Sequence, residues 1–135
     1  MSFAPCVKEL QEGWFPHTTD SGLKRLIGLL ESGSPLLVHG AFTKSLPMGC
    51  LATHIAWHHP VTNKMTHDAG VIWLSHIAGM NPATSVVIRA WDDGGQTNWD
   101  LRNVILDACR EEWNDRMDLD RELASENSET QSMSA

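Results

Sequence analysis

Apolar residues along this chain recur at helical spacing, and long runs of β-branched alternation do not occur. Leu23, Leu26, Ile27 and Leu30 form one stripe, with Asp20 or Ser21 placed to cap it and Gly33 placed to stop it. A short helix from Pro5 to Glu12, ended by Gly13, is expected before it. Pro35 to His39 fits either a short extended piece or an early helical turn and reads as a connector. Ser45 then precedes Leu46-Pro47. Because proline is favoured at a first helical position, a helix is predicted from Leu46 to His58, ended by Pro60. A second, from His67 to Ala78, has Thr66 as its cap and Gly79 as its terminator. Asn81-Pro82 starts another that runs to Trp91, before Gly94-Gly95. The last opens near Thr97 or Asn98 and carries Leu101, Val104, Ile105, Ala108 and Trp113 on one stripe toward Met117. Its other face, with Arg102, Arg110, Glu111 and Asp115, should be wet.

These elements predict an all-α fold: a compact bundle of five or six helices, with the helices of 46–58 and 67–78 as a buried central hairpin. Residues 1–117 form one all-helical domain in this reading. Residues 118–135 are an acidic tail, rich in small polar residues and without apolar periodicity, expected to be disordered.

A chain of 135 residues suits one domain, which at this size buries roughly two-thirds of the surface exposed by the unfolded chain. Cys6, Cys50 and Cys109 are odd in number and form no CxxC pair, which argues against a disulfide framework and makes a reducing, cytoplasmic compartment the simplest expectation. The amino-terminal MSFAPCVKELQEG has no apolar core after a basic start, and no run approaches the roughly 20 apolar residues of a membrane span. A soluble, unprocessed chain with no membrane partner is therefore expected.

The formal charge is −7, but five carboxylates against Arg121 alone place −4 of it in residues 118–135. The remaining body has no broad basic surface for phosphates, which counts against nucleic acid as a partner. The segment from Gly40 to Trp91 holds only four charged residues, Lys44, Lys64, Asp68 and Arg89. Helices apolar on most sides belong inside a fold or an interface, so self-association as a homodimer or binding of a protein partner is expected.

The stretch GCLATHIAWHHP, from Gly49 to Pro60, sets a thiol and three imidazoles among apolar residues. Zinc and other transition metals take neutral imidazole and thiolate ligands, and residues four apart on a helix share a face. Cys50, His54 and His58 have that spacing. Eight residues of helix rise by about 12 Å, too far for all three to reach one ion. Completing a site needs the next helix, and in an antiparallel hairpin His67 lies level with His58. Its side also carries Val71, Leu74 and Ala78, the stronger apolar face. The candidate metal ligands are therefore His54, His58 and His67, with Cys50 or Asp68 nearby. HExxH, CxxC and ExxH patterns do not occur.

The same residues admit a thiol-dependent reading, with Cys50 near a helix start and His54 one turn away as catalytic candidates. No Asp or Asn partner can be assigned to complete such a site. Further along, IAGMNPAT resembles the turn of repressor-type helix-turn-helix DNA readers through Ala78, Gly79, Pro82, Ala83 and Thr84. That resemblance implies a recognition helix where this chain has Val86 and Val87, and Arg89 is the only base before Asp92 and Asp93. Trp14, Trp91, Trp99 and Trp113 are candidate partner anchors or packing groups over the bundle ends. A regulatory or accessory protein acting through a partner or small ligand is the leading expectation. A transition-metal or thiol-dependent protein and a DNA-binding regulator are the alternatives.

Overall fold

In the computed structural model, which describes residues 2–95 and 97–133 and side chains as far as Glu126, the regular structure is helical apart from two isolated β-bridges. Helix α1 spans Ala4–Glu9 with proline in its first turn, and continues as a π-helical turn, Leu10–Trp14, and a 3-10 turn, Phe15–His17. Gly13, expected to end this helix, lies inside the run. A Cβ there would collide with the Met80 methyl, so its missing side chain serves close packing rather than chain reversal.

Helix α2 spans Asp20–Ser32. Its cap is Thr19, one residue before the expected Asp20: the Thr19 Oγ1 accepts the Gly22 N–H at 3.1 Å. Gly33 ends it as expected, at φ 62°, while the Ser34 N–H returns to the Leu29 carbonyl at 3.1 Å. Leu23, Leu26, Leu29 and Leu30 form its buried stripe.

Helix α3 covers only Leu51–Ala56, which corrects the start expected at Leu46. The residues before it are committed elsewhere. Gly49 donates to the Leu36 carbonyl and accepts from Val38, both at 2.9 Å, and Cys50 donates to the Phe42 carbonyl at 2.9 Å. These bonds make the bridges Leu37 to Gly49 and Thr43 to Gly49, so the ambiguous connector is extended at Leu37. Leu46-Pro47 is a cis peptide. A proline signal for helix initiation is local, and the bridges outweigh it with pairing from two distant segments.

Helix α4, Ala69–Ile72, passes into a second π-helical turn, Trp73–Ile77, and Gly79 at φ 70° closes the run with Met80 N–H on the Leu74 carbonyl. α3 and α4 make the central hairpin, shorter than expected. Every residue of α3 is buried, as are Ala69, Gly70, Trp73 and Leu74. The two helices approach closely because Gly70 lies on Thr53, where a Cβ would come within 2.9 Å of the Thr53 backbone nitrogen. Trp73 meets Trp14 edge-on with ring centres 5.4 Å apart, which joins the hairpin to the first helical run.

Helix α5 covers Val86–Asp92, four residues later than the start expected at Pro82. Ser85 is its cap, accepting the Ile88 N–H at 3.2 Å. A longer device overlies that cap. The Glu9 carboxylate accepts the Val86 N–H at 2.9 Å, the Val87 N–H at 3.1 Å, the Ser85 hydroxyl at 2.6 Å and the Trp14 indole N–H at 3.0 Å. A carboxylate at a helix N-terminus satisfies donors that have no intrahelical partner and opposes the positive end of the dipole. Eight residues, Ala78 to Ser85, thus separate the α4 run from α5. The tight turn of a helix-turn-helix reader is not formed, and Val87, Ile88 and Trp91 face the core.

Helix α6 spans Trp99–Met133 and packs on α2 and α1. Asn98 caps it, taking the Leu101 N–H at 3.1 Å. Leu101, Ile105, Ala108 and Cys109 are buried, with Trp113 partly covered. Arg102, expected on the wet face, is instead buried. Its guanidinium lies 5.9 Å from the Trp91 ring centre and 5.3 Å from that of Trp99, and Nη2 donates to the Leu30 carbonyl at 3.4 Å. The cation thus sits at the C-terminal end of α2, where the helix dipole is negative. Burial stops at Met117. Residues 118–126 are all exposed while the backbone of the acidic tail stays helical to Met133, and the tail's side chains after Glu126 lie outside the described residues. Among the described residues no helix is long and apolar enough to cross a membrane.

Candidate functional site

The cysteine–histidine stretch is turned into the core. Cys50 is 1% exposed, and its Sγ lies 3.7 Å from the Thr53 Oγ1. Thr53 gives its own proton to the Phe42 carbonyl, which leaves its oxygen to accept from the thiol. Burial raises the Cys50 pKa above the ordinary thiol value, and the hydrogen bonds of Thr53 offset this only in part. The group is a protonated, bonded thiol at neutral pH, the opposite of an activated nucleophile.

His54 is 3% exposed, and its Nε2 bonds the Leu36 carbonyl at 2.7 Å. Its ring meets Trp57 edge-on at 5.2 Å. Burial holds its pKa below the ordinary imidazole value, against the opposing effect of the Leu36 bond. The Leu36 carbonyl thus receives both Gly49 N–H and His54, so the imidazole pins α3 to the bridged connector.

His58 and His67 are exposed. The bonds they make to other elements run through their backbone carbonyls, which accept the hydroxyls of Thr19 at 2.9 Å and Thr43 at 3.0 Å. Partial desolvation of the ring by its neighbours, and then the nearby Arg25, lower the His58 pKa. Among the described residues no group of three or more His, Cys, Asp or Glu side chains could hold a metal ion. The expected convergence of His54, His58 and His67 with Cys50 is not formed, because His54 is committed to Leu36 and Cys50 to Thr53. Of the tryptophans, Trp14 and Trp91 are fully buried, and Trp91 donates to the Val38 carbonyl at 2.7 Å; Trp99 is 64% exposed.

A different face stands out where α6 leaves the body. Arg116 marks the exit: Nη2 donates to the Phe15 carbonyl at 2.8 Å, Nη1 to Asp20 at 2.9 Å and Nε to Glu112 at 2.6 Å. That clamp fixes the rotation of the helix at the body's edge. Beyond it lie Leu119, 55% exposed, and Leu123, 49% exposed. Leu119 follows Leu101, and Leu123 follows Ile105, by about five full turns of helix. The two exposed leucines therefore lie in register with the stripe that packs α6 onto α2, beyond the Glu112–Arg116 ion pair that takes the intervening positions, with nothing among the described residues to cover them.

Charges flank this ridge. About 60° to 100° around the axis from the leucines lies Asp120 on one side and Glu122 on the other, while Glu126, seven residues after Leu119, follows nearly in line with the ridge. Arg121 is on the opposite face, paired to Asp118 at 3.5 Å. Sequence reading missed this face because the tail's polar composition masked two leucines four apart. Their register with Leu101 and Ile105 was the available signal.

An all-helical body with a projecting, leucine-ridged acidic helix is what the fold and this face define. Comparison with known protein families, curated proteins and solved structures finds no match.

Proposed function

We propose that this chain is an accessory binding protein whose helical body presents the segment of α6 beyond Arg116 as a docking element for a protein partner. One observation carries this reading: beyond the Glu112–Arg116 pair, Leu119 and Leu123 stand exposed outside the body in the register of the buried stripe of α6. Burying a leucine stabilises by about 1.5–3 kcal/mol relative to full exposure, so covering these two half-exposed side chains contributes roughly 2–3 kcal/mol. That suits a weak, reversible complex, and a weak docking element is what a regulatory protein needs to release its partner. The polar groups with reactive potential support the same reading, since Cys50 and His54 are spent on holding α3 in place.

The reading is tested by quantitative comparison of proteins that co-purify with the full chain and with a Leu119→Asp/Leu123→Asp variant. Both substituted positions are exposed, so circular dichroism and unfolding midpoint should match between the two. A defined set of partners lost from the variant is expected. Identical partner sets for two equally folded proteins would refute the docking element.

A further inference from the structure

The rails of charge beside the leucine ridge identify the chemistry of its occupant. We infer that the α6 extension receives a basic amphipathic helix, one that carries lysine or arginine on both sides of an apolar stripe. This deepens the docking reading above and rests on it.

Two leucines four apart occupy the inward positions of a helix pair, and the residues beside them, Asp120 and Glu122, then take the two flanking positions that set partner choice in paired helices. Asp115, one heptad before Glu122, adds a carboxylate along the same side. Each of these residues is exposed. Of the nearby cations, Arg116 is held by Asp20, Glu112 and the Phe15 carbonyl, and Arg121 faces away from the ridge and pairs with Asp118. A second copy of this chain is therefore a poor occupant: in either direction, two such extensions set carboxylate against carboxylate on both flanks. A helix with basic flanks places opposite charge along the whole ridge, which favours encounter and rejects acidic helices.

The test uses the full chain and two synthetic helical peptides with an identical leucine stripe, one flanked by lysine and arginine, the other by glutamate. Binding is read by fluorescence anisotropy at 50 and 300 mM salt, with sedimentation equilibrium of the chain alone. The basic peptide should bind at low salt at least about tenfold tighter than the acidic one, and weaken several-fold at high salt. Leu119→Asp/Leu123→Asp should abolish binding, and Asp120→Asn/Glu122→Gln should remove most of the salt dependence while leaving the fold intact. Equal binding of the two peptides, or a dimer of the chain that Leu119→Asp/Leu123→Asp dissolves at micromolar concentration, would overturn the inference. If neither peptide binds, the charge inference fails. The co-purification comparison then decides the broader reading: a difference between wild type and variant preserves docking, and no difference removes it too.

Discussion

Replacing Glu9 by alanine should destabilise the fold more than any exposed-surface change, because one carboxylate joins three elements. It accepts the Trp14 indole N–H at 3.0 Å, the Ser85 hydroxyl at 2.6 Å and the first two amides of α5. Trp14 and Val87 are fully buried and Ser85 is 3% exposed, so these three donors regain little water when the carboxylate is removed. Each buried donor left unmade costs about 1–3 kcal/mol. Loss of negative charge at the α5 N-terminus adds about 0.3–1 kcal/mol. Val86 is 40% exposed, and its amide recovers a water bond and contributes little. Because Glu9 is itself only partly buried, the expected loss is at the low end of that sum, roughly 3–5 kcal/mol, which lowers a urea midpoint by about 2 M for an m value near 2 kcal/mol/M. Glu9→Gln keeps one acceptor oxygen and should lose roughly 1–2 kcal/mol. In a double-mutant cycle, Ser85→Ala should be far less damaging in the Glu9→Ala background than in wild type. A loss under about 1 kcal/mol for Glu9→Ala, or strict additivity with Ser85→Ala, would refute the assignment of this residue as the tie between α1 and α5.

Other residues give equally direct outcomes. His54 has its pKa below the ordinary value through burial, so the unfolded chain takes up a proton first as pH falls below about 6.5. Its stabilisation is complete above that pH and is lost as pH falls toward the folded value, with a slope of up to about 1.4 kcal/mol per pH unit. Urea midpoints should fall between pH 7.5 and 5.5, and equal midpoints would contradict this. Gly70→Ala drives a Cβ onto the Thr53 backbone across the α3–α4 crossing and should lose about 1–3 kcal/mol in thermal or urea unfolding; a neutral result would mean the helices separate freely. Burial raises the pKa of Cys50 and pushes that of Cys109 up to about 12, with Glu112 adding to the latter. Alkylation of all three buried thiols in the native chain at pH 7 should therefore be slow and accelerate with urea, and one fast thiol would expose an error in this description.

Features of the fold that depend on neighbours in sequence were legible in advance. Gly33 and Gly79 end their helices at positive φ, Asn98 caps α6, and the Leu101–Ile105–Ala108 stripe is the one that packs. Features set by distant partners were not. The Pro47 signal lost to hydrogen bonds that Gly49 and Cys50 make with segments 36–38 and 42. Arg102 looked like one more charge on a wet face, yet two indoles and the end of α2 supply a buried place for it. Glu9 reaches α5 across more than seventy residues, and no local pattern announces such a cap. The cysteine–histidine stretch was legible as a unit of structure, since Cys50 and His54 do belong to one short helical segment. What helical spacing alone could not show was that Thr53 and the Leu36 carbonyl occupy their polar atoms. The leucine ridge shows the converse: its register was present in the chain, but its exposure depends on where the body ends at Arg116.

The docking role of α6 is tested most directly by site-specific photocrosslinking in cells. A photoreactive phenylalanine analogue is placed at residue 119 or 123 on the ridge, or at residue 125 on the far side of the same helix. Adducts of one discrete mass from positions 119 and 123, absent from position 125, are the predicted result. Adducts from all three positions alike, or from none while the variants fold normally, would contradict the account.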